Sequence, residues 1–137
     1  MATSHLDIGK QLVQYYYSIY DQPAPVPAPG QPTPPHPRGA GLAGLYKPDA
    51  LLDYEGTRCV GAAQIRAKLD EAPTVQRDTP NLSFDAQPTP SGLLVTVLGR
   101  LALEGQTNPI TFSEVFHFVQ AGPSWAISNQ IFKCVFC

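Results

Sequence analysis

From Leu82 to Phe136, apolar and polar residues alternate with period two, interrupted only by short runs of turn-forming residues. Leu93, Val95, Val97, Leu101 and Leu103 fall on one face of a single stretch, with Gly99 in register between them. After Asn108-Pro109 the rhythm resumes as Thr111-Phe-Ser-Glu-Val-Phe-His-Phe-Val119. After Ala121-Gly-Pro-Ser124 it continues as Trp125-Ala-Ile-Ser-Asn-Gln-Ile-Phe132. Successive side chains of a strand point to opposite faces, so this half of the chain predicts long antiparallel strands joined by tight hairpins. One face of that sheet is buried.

The first half reads differently. Ser4 with Asp7 three residues later resembles a capping box, and Ile8, Leu12, Tyr15, Tyr16 and Ile19 trace one stripe of a helix ending near Tyr20. From Gln22 to Arg38 proline dominates. Its fixed φ and missing amide exclude a helix or an inner strand, so an exposed, extended loop is expected. A short helix is expected over Gly41 to Tyr46, stopped by Pro48, followed by a strand from Ala50 to Tyr54. A second amphipathic helix over Gly61 to Glu71 turns Ile65 and Leu69 inward, and Pro73 closes it.

At 137 residues the chain suits one domain with a real core, and 43% hydrophobic residues fit a globular protein with an excess of proline, at 15. A net charge of −2 and the lack of any Lys/Arg run argue against a nucleic-acid surface. No stretch reads as a transmembrane span or a signal peptide, so a soluble, intracellular chain without membrane contact is expected. Cys134-Val-Phe-Cys137 has Cys-x-x-Cys spacing, but no second ligand pair accompanies it. Two apolar-like thiols at a strand end are expected rather than a metal or redox site, and no metal or cofactor is assigned.

The wording of three segments, in this order, is specific: Phe84-Asp-Ala-Gln-Pro-Thr-Pro90, Phe112-Ser-Glu-Val-Phe-His117 and Ser128-Asn-Gln-Ile-Phe132. Together they resemble the nuclear transport factor 2 family. The resemblance implies an α+β fold in which about three helices wrap a cone-like, strongly bent antiparallel sheet. It covers residues 1–137 as a single domain, with the proline-rich stretch 22–38 as an insertion. That insertion reads as a tolerated surface loop, or as a ligand for a domain that binds polyproline. A cone of this kind leaves a cavity at its open end.

The resemblance further implies a homodimer that binds Ran-GDP and the phenylalanine-glycine repeats of nucleoporins. Such a protein carries Ran into the nucleus, moving between cytoplasm and nucleus and gathering at pore complexes of the nuclear envelope. Tyr54-Glu55-Gly56 stands where the family places an aromatic, an acid and a glycine at the cavity rim. Glu104 matches a second rim acid, and Gly105-Gln-Thr-Asn108 after it supplies no third. Ile131 and Phe132 match apolar positions near or lining the same cavity, and His5 stands where an aromatic helps hold the repeats. Glu55 is expected to be exposed and without a partner.

Two other functions stay open. One is the small subunit of the mRNA-export receptor, a heterodimeric relative that the hairpin around Glu104-Gly105 somewhat resembles. The other is an isomerase or dehydratase of the same fold, for which Asp53, His117 and the Tyr15-Tyr-Tyr17 run are the candidate groups. Three consecutive helix positions cannot all face one cavity, and His117 shares its strand face with Val115 and Val119. Residue order favours the transport factor over the enzyme.

Overall fold

The computed structural model describes residues 4–135, so Phe136 and Cys137 of the expected last strand and Cys-x-x-Cys pair lie outside the described residues. Three α-helices, α1 (His5–Tyr20), α2 (Pro37–Leu42) and α3 (Ala62–Glu71), accompany seven strands. These are β1 (Tyr46–Tyr54), β2 (Thr57–Val60), β3 (Val75–Arg77), β4 (Ser83–Pro88), β5 (Gly92–Leu103), β6 (Ile110–Ala121) and β7 (Ser124–Val135). They form one curved sheet in the order β2-β1-β7-β6-β5-β3, with β4 also paired to β5. Pairing is antiparallel throughout except between β1 and β7, which run parallel.

The period-two pattern builds the sheet as expected. Leu93, Val95, Val97 and Leu101 of β5 are buried on the inner face, as are Phe112, Phe116 and Phe118 of β6. β5 bends where its partner changes: residues 93–98 pair with β4, and 101–103 pair with β3. Gly99 lies at that bend, and a Cβ there would stand 2.4 Å from the Leu82 side chain. The β1–β2 hairpin turns on Glu55 (φ 50°) and Gly56 (φ 84°), two positive φ values in succession, as two-residue hairpin turns require.

Helix α1 lies in the concavity. Ser4 accepts a hydrogen bond from the Asp7 amide and caps it, but the buried stripe is Gly9, Val13, Tyr16, Tyr17 and Tyr20. The expected stripe is therefore rotated by about one residue, and Tyr15 is largely exposed. The reason is that tyrosine hydroxyls find polar partners inside this cone, so rings that a hydropathy pattern would leave half out go in. Tyr16 meets the Phe116 ring edge-on at 5.1 Å between centroids. Helix α3 turns Ile65 and Leu69 into the core as expected.

Two boundaries differ from expectation. The short helix starts earlier, at Pro37, with His36 as its cap accepting from the Arg38 amide, and a single 3-10 turn over Ala43–Leu45 follows. Pro48 does not end a helix but lies within β1, where the register with β7 breaks between Tyr46 and Leu51. An irregularity of this kind tolerates the missing amide. The proline-rich stretch is extended and exposed from Gln22 to Pro35 apart from a half-buried Pro25, but its last residues are not part of that loop. His36 is buried and Arg38 is fully buried, its guanidinium 4.3 Å over the Tyr20 ring and donating to the Ala72 and Pro73 carbonyls at 3.0 and 3.1 Å.

Candidate functional site

The C-terminal ends of β1, β5 and β7 and the start of β6 meet at one end of the sheet. Tyr54 closes β1 there, half-buried, its ring stacked on Phe132 at 5.1 Å and 27° between planes. Phe132 in turn packs on Phe112, and the Lys68 ammonium of α3 lies 5.1 Å over the Tyr54 ring. Glu55 follows in the turn. Its amide donates to the Phe132 carbonyl at 3.0 Å, and its carboxylate accepts from the backbone amide of Cys134. The expectation that Glu55 has no partner is thus corrected. The left-handed turn folds its carboxylate back over the end of β7. Burial, with the Glu55 charge beside it, pushes the Cys134 thiol up to about 11, so this cysteine is a protonated, inert packing group.

Glu104 lies in the connection from β5 to β6, at the same end of the sheet as Glu55. It is exposed, and its amide is tied to the Thr74 carbonyl at 2.9 Å. Ile131 does not join Phe132. Alternation sends it to the opposite face, where it is 49% exposed beside its cross-strand neighbour Val115. That outer face also exposes Leu98 (54%) and Val135 (46%). His5 is the first residue of α1, exposed, and lies at the far end of that helix from Tyr20 and the Tyr54 cluster.

The expected cavity at the open end is nearly closed. Tyr54, Phe132 and Tyr20 cap a space of about 10 Å³, which Arg77, Glu114 and Gln130 line from beneath. A polar network fills the interior. Glu114 accepts from the Tyr17 hydroxyl at 2.7 Å and from the Gln130 amide at 2.6 Å, and Gln130 also accepts from the Tyr46 hydroxyl at 2.5 Å. Burial raises the Glu114 carboxyl above the usual carboxylate range, against the opposing pull of Arg77 and its two donors. The Arg77 guanidinium sits 3.9 Å from the Tyr17 ring and 3.3 Å from Asp21 Oδ1. That is ion-pair distance, but without the alignment of a hydrogen bond. Burial pushes Asp21 up to about 6, with Arg77 working against the shift.

The candidate catalytic groups are not assembled here. Asp53 points away from the interior into a two-point pair with Arg58 at 2.8 and 3.0 Å, which holds its carboxyl below the usual range. His117 is on the outer face, hydrogen-bonded to Thr89 at 2.8 Å and Ser128 at 2.6 Å. Tyr16 and Tyr17 point inward while Tyr15 points out. Among the described residues no cluster of three metal-ligating side chains occurs. Sequence reasoning missed the interior network. Its one legible sign was Glu114, an acid set between Phe112 and Phe116 on the face whose other members are apolar.

Residues 36–134 match the family model described as the nuclear transport factor 2 (NTF2) domain. Nuclear transport factor 2 of Neurospora crassa is 31% identical to this chain over 98% of both proteins. Among solved structures, nuclear transport factor 2 from Cryptosporidium parvum superposes with a TM-score of 0.76 at 29% identity, covering 98% of each chain. Candida albicans Mtr2 superposes at 0.73 over 98% of each chain with 12% identity, a likeness of fold alone. With the family model matching residues 36–134, a relative 31% identical over nearly the whole chain, and the bent sheet shared with a solved member, the chain belongs to the nuclear transport factor 2 family.

Proposed function

We propose that this protein is a nuclear transport factor that binds Ran-GDP at the Tyr54 end of the cone and carries it through nuclear pores. The observation that carries this reading is the pairing of an aromatic stack with acids at one end of the sheet. Tyr54 lies on Phe132, Glu55 is held beside them by the Cys134 amide, and Glu104 stands in a hairpin at the same end. An aromatic side chain inserted into a desolvated pocket supplies affinity, and acids around it fix register against lysines. Because the space beneath Tyr54 holds only about 10 Å³, insertion requires Tyr54 to swing off Phe132 and away from Lys68.

The rest of the transport role follows the same reading. The outer face around Leu98, Val115, Ile131 and Val135 pairs with a second copy, so Ile131 serves the dimer rather than the cavity. His5 contributes a small, polar surface to binding phenylalanine-glycine repeats, and residues 23–35 are an inserted loop. The protein works in cytoplasm and nucleus and gathers at pore complexes without catalysing a reaction. Support for a non-catalytic role lies in the engagement of Asp53 with Arg58 and of His117 with Thr89 and Ser128 outside the interior, and in the exposure of Tyr15. A subunit of the mRNA-export receptor would need a larger partner chain, and a dimeric mass for this chain alone separates the two readings.

The test is calorimetric titration with Ran-GDP and Ran-GTP. Glu55→Lys is expected to weaken Ran-GDP binding by roughly 2–5 kcal/mol, the scale of a desolvated interfacial charge pair broken from one side. Glu55→Gln keeps an acceptor for the Cys134 amide while removing the charge, so it separates lost charge from a disturbed turn. Glu104→Lys is expected to act in the same direction but less strongly. Wild-type affinity in a folded Glu55→Lys protein would sink the assignment.

A further inference from the structure

The loop between α1 and α2 is built unlike an ordinary surface insertion. From Pro23 to Pro29 every second residue is proline, and each residue between them precedes a proline. Proline fixes its own φ near −65°, and the residue before it is driven out of the helical region by the ring. Every position in this run is therefore confined to extended, polyproline-like backbone before any partner arrives. The run ends in a turn, in which the Gln31 amide donates to the Ala28 carbonyl at 2.9 Å and Gly30 takes a φ of 77°. Pro32, Pro34 and Pro35 form the returning arm.

Both ends of the loop are held by the body. A His36 ring nitrogen lies 2.8 Å from the Gln22 carbonyl across the base of the loop, and Arg38 is locked beneath Tyr20 and against the end of α3. Polyproline has three residues per turn, so Pro23, Val26 and Pro29 share one edge. Pro25, on another edge, is half-buried, whereas Val26 is 87% exposed. Pro23 and Pro29 are exposed as well, Pro23 at the border of a groove that Tyr17, Ser18, Pro80 and Leu82 line, and the carbonyls of this edge make no backbone hydrogen bond among the described residues. No residue from Gln22 to Pro35 is charged, and Arg38, the next arginine along the chain, is fully buried.

We propose that the Pro23/Val26/Pro29 edge is a presented ligand for a proline-binding domain whose groove is lined by aromatic side chains and reads no charge. The aromatic ridges of such a groove pack on ring and valine faces, and their hydroxyl and indole donors reach the free carbonyls. Domains of the SH3 type that also require a basic ligand residue are excluded as partners, because Arg38 and Arg77, the arginines packed on Tyr20 at the base of the loop, are both buried and committed to the fold. Holding both ends of a stiff segment lowers the ordering entropy that a free peptide loses on binding.

The experiment titrates the full chain with three purified probes: a WW domain, an EVH1 domain and an SH3 domain that requires a basic ligand residue. Binding by at least one of the first two is expected, with none by the third. Val26→Asp is expected to weaken that binding at least tenfold while leaving the melting temperature unchanged, since Val26 makes no core contact. A second variant, with Pro23, Pro27 and Pro29 replaced by alanine, should weaken it similarly by loosening the extended backbone. Failure of both the WW and EVH1 domains to bind overturns the proposal. Binding that survives Val26→Asp and the alanine variant, or that the SH3 domain matches, overturns it equally.

Discussion

At the scale of single residues, the interior shows how a few buried polar groups decide what the cone is. Asp21, Arg77 and Glu114 stand among Tyr16, Tyr17 and Tyr20, and Asp21 Oδ1 and Arg77 Nε are left without a well-aligned hydrogen bond. A carboxyl whose folded value is raised from 3.8 to about 6 binds its proton more tightly in the native state than in the unfolded chain. Its contribution is therefore most favourable below pH 4. It is lost as pH rises from about 4 to about 6 and stays absent above that, a change in stability of roughly 3 kcal/mol. Asp21→Asn, which cannot titrate, should gain stability relative to wild type across that window. Urea unfolding of both proteins between pH 4 and 7.5 measures it, and a stability difference that does not change with pH would contradict the assignment.

Elements are limited by how closely their backbones approach, and two glycines separate backbone limits from side-chain ones. A Cβ on Gly92 would stand 1.9 Å from the Phe118 carbonyl oxygen of the neighbouring strand. Neither β5 nor β6 can yield there without parting their ladder. A Cβ on Gly39 in α2 would stand 1.8 Å from an Asp70 carboxylate oxygen, but that side chain is flexible and only loosely paired with Arg66 at 3.9 Å. Gly92→Ala is therefore expected to destabilise by about 3 kcal/mol. Gly39→Ala should fall within about 1 kcal/mol of wild type, since alanine also favours the helix. Thermal and urea unfolding of the two variants should show this contrast despite nearly equal initial overlaps.

For the whole molecule, the question is where the body ends and the loop begins. Replacing residues 23–35 by a short Gly/Ser turn should leave the melting temperature nearly unchanged, because loop length costs little and every residue of this stretch is exposed but the half-buried Pro25. Extending the replacement to residues 22–38 should cost at least about 2 kcal/mol. It removes the His36–Gln22 contact and the Arg38 guanidinium that caps the carbonyls at the end of α3. Equal melting temperatures for the two replacements would show that Arg38 contributes nothing to holding α2 against α3.

Much of this protein was legible in its residues because local chemistry dictated it. Period-two alternation with Gly and Pro punctuation specified β4 to β7 and their inward faces, as with Leu93, Val95 and Val97. The spacing of Ile65 and Leu69 specified the buried side of α3, and the proline run from Gln22 to Arg38 excluded regular structure except at Pro37 and Arg38, where α2 begins. The Tyr54-Glu55-Gly56 wording marked the candidate rim. Tertiary structure decided what depends on partners distant in sequence. Alternation alone separates Ile131 from Phe132, but only the folded sheet shows which of them faces inward. The tyrosine stripe of α1 was set by Glu114 and Gln130 nearly a hundred residues or more away, since a buried hydroxyl is tolerated only where an acceptor already waits. Arg38 went unread at the end of a proline loop for the same reason. Its burial is stabilised by the Tyr20 ring and the carbonyls of Ala72 and Pro73, which come together only when α1, α2 and α3 have packed.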